Sequence, residues 1–112
     1  MIKEKNMYKP LPESLTIKES GIHDLGLFAK EGIAQGTDLG MSHVLIGSGI
    51  IRTPMGGFIN HSNTANIVKV ELKINETDDP LLKIATKKWN LITLRDIKEE
   101  EELTVKYTFY DI

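Results

Sequence analysis

Val68-Lys69-Val70-Glu71-Leu72-Lys73-Ile74 alternates four apolar residues with three charged ones, the pattern of a strand with one face on a core and the other in water. Downstream, Asn75-Glu76-Thr77-Asp78-Asp79-Pro80 is a turn cluster. Leu81 to Thr86 and Asn90 to Leu94 then read as two further strands, and the charged stretch Asp96 to Glu102 separates them from the β-prone triplet Leu103-Thr104-Val105. Upstream, Leu15-Thr16-Ile17-Lys18-Glu19 alternates like a short strand and runs into the turn signal Ser20-Gly21. Leu27-Phe28-Ala29 is a short apolar run. From Ala34 to Gly57 glycines stand at 36, 40, 47, 49, 56 and 57, which argues against a long helix and leaves Val44-Leu45-Ile46 and Gly49-Ile50-Ile51 as short strands. The expected fold is mainly β, built of several small sheets.

The 112 residues predict one domain over positions 1–112. A globule of this size buries roughly 65% of its unfolded surface, enough for a core without metal or disulfide support. The formal charge of −2 and the pI near 5.9 provide no general pull toward nucleic acid. The absence of cysteine excludes disulfides and thiolate zinc sites. The start, Met1-Ile2-Lys3-Glu4-Lys5-Asn6, lacks the apolar stretch of a secretory signal, and no run reaches the ~18 apolar residues of a membrane helix. An intracellular protein is expected, cytoplasmic, or nuclear if the source is eukaryotic or viral, with no membrane partner.

Standard catalytic signatures are missing. There is no G-x-x-x-x-G-K phosphate loop, and Gly47-Ser48-Gly49 lacks the third glycine of a dinucleotide fingerprint. His23, His43 and His61 are too dispersed to suggest a metal site, and no G-x-S-x-G nucleophile elbow exists. Asn60-His61-Ser62 and Asn75-Glu76-Thr77 match the glycosylation pattern, which means little without a secretory signal.

Two segments remain. In Gly56-Gly57-Phe58-Ile59-Asn60-His61-Ser62-Asn63-Thr64-Ala65-Asn66, hydrogen-bonding side chains follow an apolar pair. Turn chemistry alone would account for that. In Leu94-Arg95-Asp96-Ile97-Lys98-Glu99-Glu100-Glu101-Glu102-Leu103-Thr104-Val105-Lys106-Tyr107-Thr108-Phe109-Tyr110, three aromatics crowd into the last four positions. A terminal strand docking its rings on the core, after a solvated run of glutamates, would account for that.

Taken together and in order, the two segments resemble the signature of the SET-domain protein lysine methyltransferases. Asn60-His61-Ser62 and Asn66 match N-H-S-x-x-x-N. Arg95-Asp96-Ile97, Glu101-Glu102-Leu103-Thr104 and Tyr107 match R-D-I-x-x-G-E-E-L-T-x-x-Y. Upstream, Ile22-His23-Asp24-Leu25-Gly26-Leu27-Phe28-Ala29 resembles I-H-G-x-G-L-F-A, and Ile33-Ala34-Gln35-Gly36 resembles I-x-x-G. The resemblance covers about 15–110 and is to minimal members, of the small viral or prokaryotic type. No pre-SET segment and no cysteine-containing post-SET segment is expected. Four departures stand out: Asp24 and Glu100 occupy glycine positions, Ala65 replaces a common proline, and no aromatic stands near Ser42-His43, where one often walls the lysine channel.

The resemblance implies a β-clip-like fold with a C-terminal pseudo-knot, S-adenosyl-L-methionine as cofactor and methyl transfer to the ε-amine of a lysine in a protein, a histone-like basic tail being one such substrate. It assigns the backbone of Leu25, Gly26 and Leu27 to the methionine part of the cofactor. Asn60 and the backbone of His61 are assigned to its amino group and adenine. Tyr107 is the catalytic residue at the inner end of the channel, Phe109 the channel wall, and Tyr110 a stacking partner for the adenine or the channel rim. No metal is implied. The short span from Gly36 to Gly57 leaves little peptide groove in one subunit, and a homodimer would complete it. The alternatives are a SET-like module that binds S-adenosylmethionine or peptide without catalysis, and a small β structural protein with no small-molecule site.

Overall fold

A computed structural model describes residues 11–74 and 85–106. The first two strands, β1 (Leu15–Glu19) and β2 (Leu25–Ala29), form an antiparallel hairpin in the register Leu15↔Ala29 and Ile17↔Leu27. Its loop is closed by the Ser20 N–H donating to Asp24 O at 2.8 Å. Asp24 has φ 33, in the left-handed region that glycine favours and aspartate tolerates. The chain therefore keeps a glycine-like backbone at the first glycine position of the motif although it carries aspartate there.

The glycine-rich segment forms a second hairpin, β3 (Asp38–Ile46) and β4 (Gly49–Arg52), paired from His43↔Arg52 to Ile46↔Gly49. A two-residue loop of this kind needs a positive φ at its first position, and Gly47 supplies it with φ 61. The expected strands Val44–Ile46 and Gly49–Ile51 thus belong to longer ones. Register shifts interrupt the pairing of β3 with its other neighbour, one of them between Met41 and His43. Ser42 lies in that bulge and is fully buried. A five-residue helix, α1 (Pro54–Phe58), follows. Thr53 caps it by accepting from Gly56 N, and Pro54 suits the first turn. The Thr53 N–H donates to Ser42 O at 2.9 Å. A Cβ on Gly56 would stand 2.1 Å from that same carbonyl oxygen, so only glycine lets the helix approach the bulge.

Three more strands and a two-residue segment complete the sheet: β5 (Asn60–His61), β6 (Ile67–Lys73), β7 (Ala85–Thr93) and β8 (Glu102–Val105). The strands follow the order β1-β2-β8-β6-β7-β3-β4, and β5 also pairs with β8. The links around β8 are short: two residue pairs to β2, two to β5 and one to β6. Small sheets are thereby joined through one central strand, as expected for this class of fold.

Two sequence expectations change. Of the expected strand Asn90 to Leu94, all but Leu94 joins the end of Leu81 to Thr86 in one strand, β7, which includes Lys87, Lys88 and Trp89 (residues 81–84 lie outside the described residues). β7 lies between β6 and β3 and pairs with both, and those two ladders hold polar residues in strand geometry that their periodicity does not announce. The alternation in Val68–Ile74 marks a strand correctly, but among its residues only Ile67, one position earlier, is buried, and Leu72 is 37% exposed.

The core gathers Leu15, Leu27, Ala29, Ile33, Leu39, Met55, Ile59, Ile67, Leu91, Ile97, Leu103 and Val105. Leu27, Leu91 and Leu103 are completely buried, each worth about 1.5–3 kcal/mol. Leu27 and Leu103 are register partners, so the same contact that fills the core carries β8 to the hairpin loop.

Candidate functional site

The two hydrogen-bonding segments meet at β8. Asn60 pairs with Thr104 and His61 with Val105 in parallel, and the Ser62 N–H donates to Val105 O at 3.1 Å. Asn66, only 3% exposed, closes the other side. Its Oδ1 accepts from Thr104 N at 2.8 Å and its Nδ2 donates to Glu102 O at 2.9 Å. The asparagine at each end of the Asn60–Asn66 stretch thus anchors it to the strand that leads toward Tyr107.

Glu101 locks the turn before that strand. Its carboxylate pairs with Arg95 and accepts from Lys98 N at 2.9 Å. The hydrogen bond from Arg95 is the main reason its pKa falls to about 2, with the Lys98 N–H, the charge of Arg95 and the Asn66 amide adding to it against a burial that raises it. The same hydrogen bond raises the pKa of Arg95. Asp96 Oδ1 accepts from Gln35 N at 2.8 Å, and Ile97 forms an antiparallel bridge with Ile33, so the Arg95-Asp96-Ile97 and Ile33–Gly36 motifs are one contact. The turn from Lys98 to Glu101 is closed by Glu101 N donating to Lys98 O at 3.0 Å. Glu100 within it has φ 69, again a left-handed residue at a glycine position of the motif.

The polar cradle lies on the other face of the β2–β8 junction. Asn60 Nδ2 donates its two hydrogens among Glu102 Oε2 at 2.9 Å, Leu25 O at 3.1 Å, Ser20 Oγ at 3.2 Å and His23 O at 3.3 Å. Gly26 forms part of its wall: a Cβ there would stand 2.3 Å from Glu102 Oε2 and 3.0 Å from Asn60 Nδ2. The missing side chain is what lets that carboxylate and the Asn60 amide approach the main chain so closely. The acceptors outnumber the hydrogens they share, a composition that fits an ammonium group.

Of the residues read from the sequence, Leu25, Gly26 and Asn60 come together here, with His61 next in β5. Leu25 is exposed, whereas Leu27 is fully buried between Ile17 and Leu103, so its side chain belongs to the core. Tyr107, Phe109 and Tyr110 lie outside the described residues. Ser42 and His43, which stand where the family often has a channel aromatic and this chain has none, are both buried. The Ser42 hydroxyl donates to Trp89 O at 3.1 Å and hence accepts from His43 Nδ1 at 2.9 Å.

Two site residues escaped the sequence reading. The sequence marks Ser20 only as a turn signal, and Glu102 as part of an acidic run and of the E-E-L-T match, with no role in the site. Only Glu99 and Glu100 of that run are exposed. The alternation in β8 was the available signal, since Leu103 faces the core and its neighbour Glu102 must face the opposite way.

The fold with this cradle defines a class. The family model described as SET domain matches residues 41–108, and the chain belongs to the SET-domain family. It is similar in fold to a Plasmodium falciparum protein assigned as a histone methyltransferase, with a TM-score of 0.69 and 16% identity over 88% of this chain and 96% of that one. The methyltransferase domain of human PR domain-containing protein 2 gives a TM-score of 0.59 at 20% identity, over 91% of this chain and 82% of that one. A humanized mutant of the Chaetomium thermophilum Polycomb Repressive Complex 2 gives 0.62 at 20% identity over 83% of this chain, which spans 15% of that one. At such identities the likeness is one of fold. No curated protein matches the chain.

Proposed function

We propose that this chain transfers a methyl group from S-adenosylmethionine to the ε-amine of a lysine in a protein. The observation that carries the reading is the convergence of the Leu25–Gly26 main chain with Asn60, joined at 3.1 Å, in an acceptor-lined cradle where a Cβ on Gly26 would collide with Glu102 and Asn60. Family membership supports it. Leu25 O, His23 O and Asn60 would hold the methionine end, and the main chain of His61 the adenine.

When bound, S-adenosylmethionine supplies a methyl group already activated by its sulfonium. The protein's part is to orient, to exclude water and to receive the lysine neutral. Orientation of this kind is worth roughly 7–11 kcal/mol. With an ordinary lysine pKa of about 10.4, neutrality at pH 7 costs about 4–5 kcal/mol, which an apolar channel lowers by penalising the charged form. Phe109 is proposed to wall that channel and Tyr110 to stack on the adenine or the rim. The hydroxyl of Tyr107, two residues beyond the Val105 that pairs with His61, is proposed to orient the amine.

The substrate is proposed to be a basic, lysine-containing tail, with the exposed Glu99 and Glu100 available to attract it, and a second copy of the chain to complete its groove. Calorimetry with S-adenosylhomocysteine followed by a radiolabelled-methyl assay on mixed proteins tests the reading. Binding with transfer supports it, and no binding refutes it. Binding without transfer would favour a SET-like binding module. That second reading draws on Ser42, a buried hydroxyl where a channel aromatic is common in the family.

A further inference from the structure

Glu102 is the common acceptor of the cradle. Ser20 Oγ reaches both of its carboxylate oxygens at 2.9 Å, and Asn60 Nδ2 reaches Oε2 at 2.9 Å. Ser20 Oγ itself accepts the N–H of Ile22 at 2.9 Å and of His23 at 3.4 Å. The polarity of this chain of bonds runs one way, from the loop amides through the hydroxyl to the carboxylate. Glu102 therefore ties Asn60 to the Ser20–Leu25 loop.

Its charge is a separate matter from its shape. Glu101, next in the chain, is neutralised by Arg95. Among the described residues no lysine, arginine or histidine forms an ion pair with Glu102, whose partners are the neutral Ser20 and Asn60. A neutral glutamine could still accept from a serine or an asparagine through its one carbonyl oxygen, in weaker bonds. A half-buried carboxylate with no cationic partner among the described residues, sharing the Asn60 amide with the carbonyls of His23 and Leu25, is electrostatically suited to a cation. Hydrogen bonds in which the donor or the acceptor is ionised are roughly twice as strong as neutral ones.

We propose that Glu102 is a positioning residue that sets Asn60 and the Ser20–Leu25 loop and, through its charge, selects the ammonium-bearing amino-acid end of an S-adenosyl ligand. The inference rests on the cofactor reading above. Gly26 serves it by leaving room for the carboxylate directly beneath the loop.

Glu102→Gln keeps the shape and removes the charge. Two probes separate the charge from the fold: S-adenosylhomocysteine, which carries the amino-acid end, and 5′-methylthioadenosine, which lacks it. Titrated by calorimetry at low salt, Glu102→Gln should bind the first about tenfold more weakly and the second within about twofold of the unaltered chain. In turnover it should raise the KM for S-adenosylmethionine and leave kcat near its original value. Ser20→Ala, which retains the charge and removes one donor, should cost about two- to threefold toward the first probe alone. It stands as the second variant should the glutamine chain fail to fold. Equal losses for both probes, or no loss for either, would overturn the assignment of Glu102 while leaving the cofactor reading intact. If the unaltered chain binds neither probe, the cofactor reading falls and this inference falls with it.

Discussion

Gly26 and Glu102 are so close that a Cβ on the glycine would stand 2.3 Å from the carboxylate oxygen Oε2. The atom met is the far end of a flexible side chain, so Gly26→Ala is expected to displace the carboxylate and to leave the fold standing, at about 1–2 kcal/mol. Asn60 loses its shortest partner in the process. Affinity for S-adenosylhomocysteine should fall at least tenfold by calorimetry, with a much smaller effect on the urea midpoint. A variant that binds as tightly as the original chain would show that the cradle is not the binding site.

Asn66, in a 3% exposed position just before β6, ties that strand to β8 with two side-chain bonds to β8 main chain. Leu94 N also donates to its carbonyl, at 2.8 Å, but that bond survives side-chain changes. Asn66→Ala strands Thr104 N and Glu102 O, each of which costs about 1–3 kcal/mol when left unpaired. Chemical denaturation should show a loss of about 2–4 kcal/mol. A loss under 1 kcal/mol would mean that β8 is held by other contacts.

Glu101 contributes a pH dependence whose sign is fixed by its lowered pKa. The unfolded chain binds a proton near 4.5 and the folded one only near 2, so the stabilisation is complete above about 4.5 and is lost as the pH falls toward 2. Acid titration of stability should fall across that window, and Glu101→Gln should flatten it. Parallel titration curves for the two chains would remove Glu101 from the account.

Glu100 holds φ 69 in the Lys98–Glu101 turn. A left-handed residue other than glycine carries about 1–2 kcal/mol of backbone cost, partly offset in Glu100→Gly by the extra freedom of glycine when unfolded. That substitution is expected to stabilise the chain by about 0.5–1 kcal/mol in urea titration. Glu100→Val, β-branched in the same place, should destabilise it.

Tyr107→Phe removes only the hydroxyl proposed to orient the amine. Calorimetry should show unchanged binding of S-adenosylhomocysteine, and the radiolabelled-methyl assay most of the turnover lost. Full methylation by this variant would assign the orienting role elsewhere.

Much of this molecule was readable along the chain. Alternation at Leu15–Glu19 and around Val68–Ile74 placed strands. The triplets Val44–Ile46 and Gly49–Ile51 placed two short strands, which the structure joins as a hairpin, and the order of three motifs placed the family that the match over 41–108 establishes. Those signals are local, because backbone conformation and side-chain direction repeat every two residues in a strand. The merger of two expected strands into β7 could not be read that way, since Lys87, Lys88 and Trp89 become strand only through pairing with β6 and β3.

The site shows the same division. Along the chain, the resemblance carried by three motifs pointed to a glycine at 26 and an asparagine at 60, and the sequence set an acidic run before a strand. Tertiary structure alone decided that Glu101 turns to Arg95 while Glu102 turns to Ser20 and Asn60, and that Asp24 and Glu100 take positive φ without being glycine. The physical reason is that adjacent carboxylates are interchangeable as letters. They separate only when β8 is set between β2 and β5, because each side chain must then find its partner on the face where pairing has placed it.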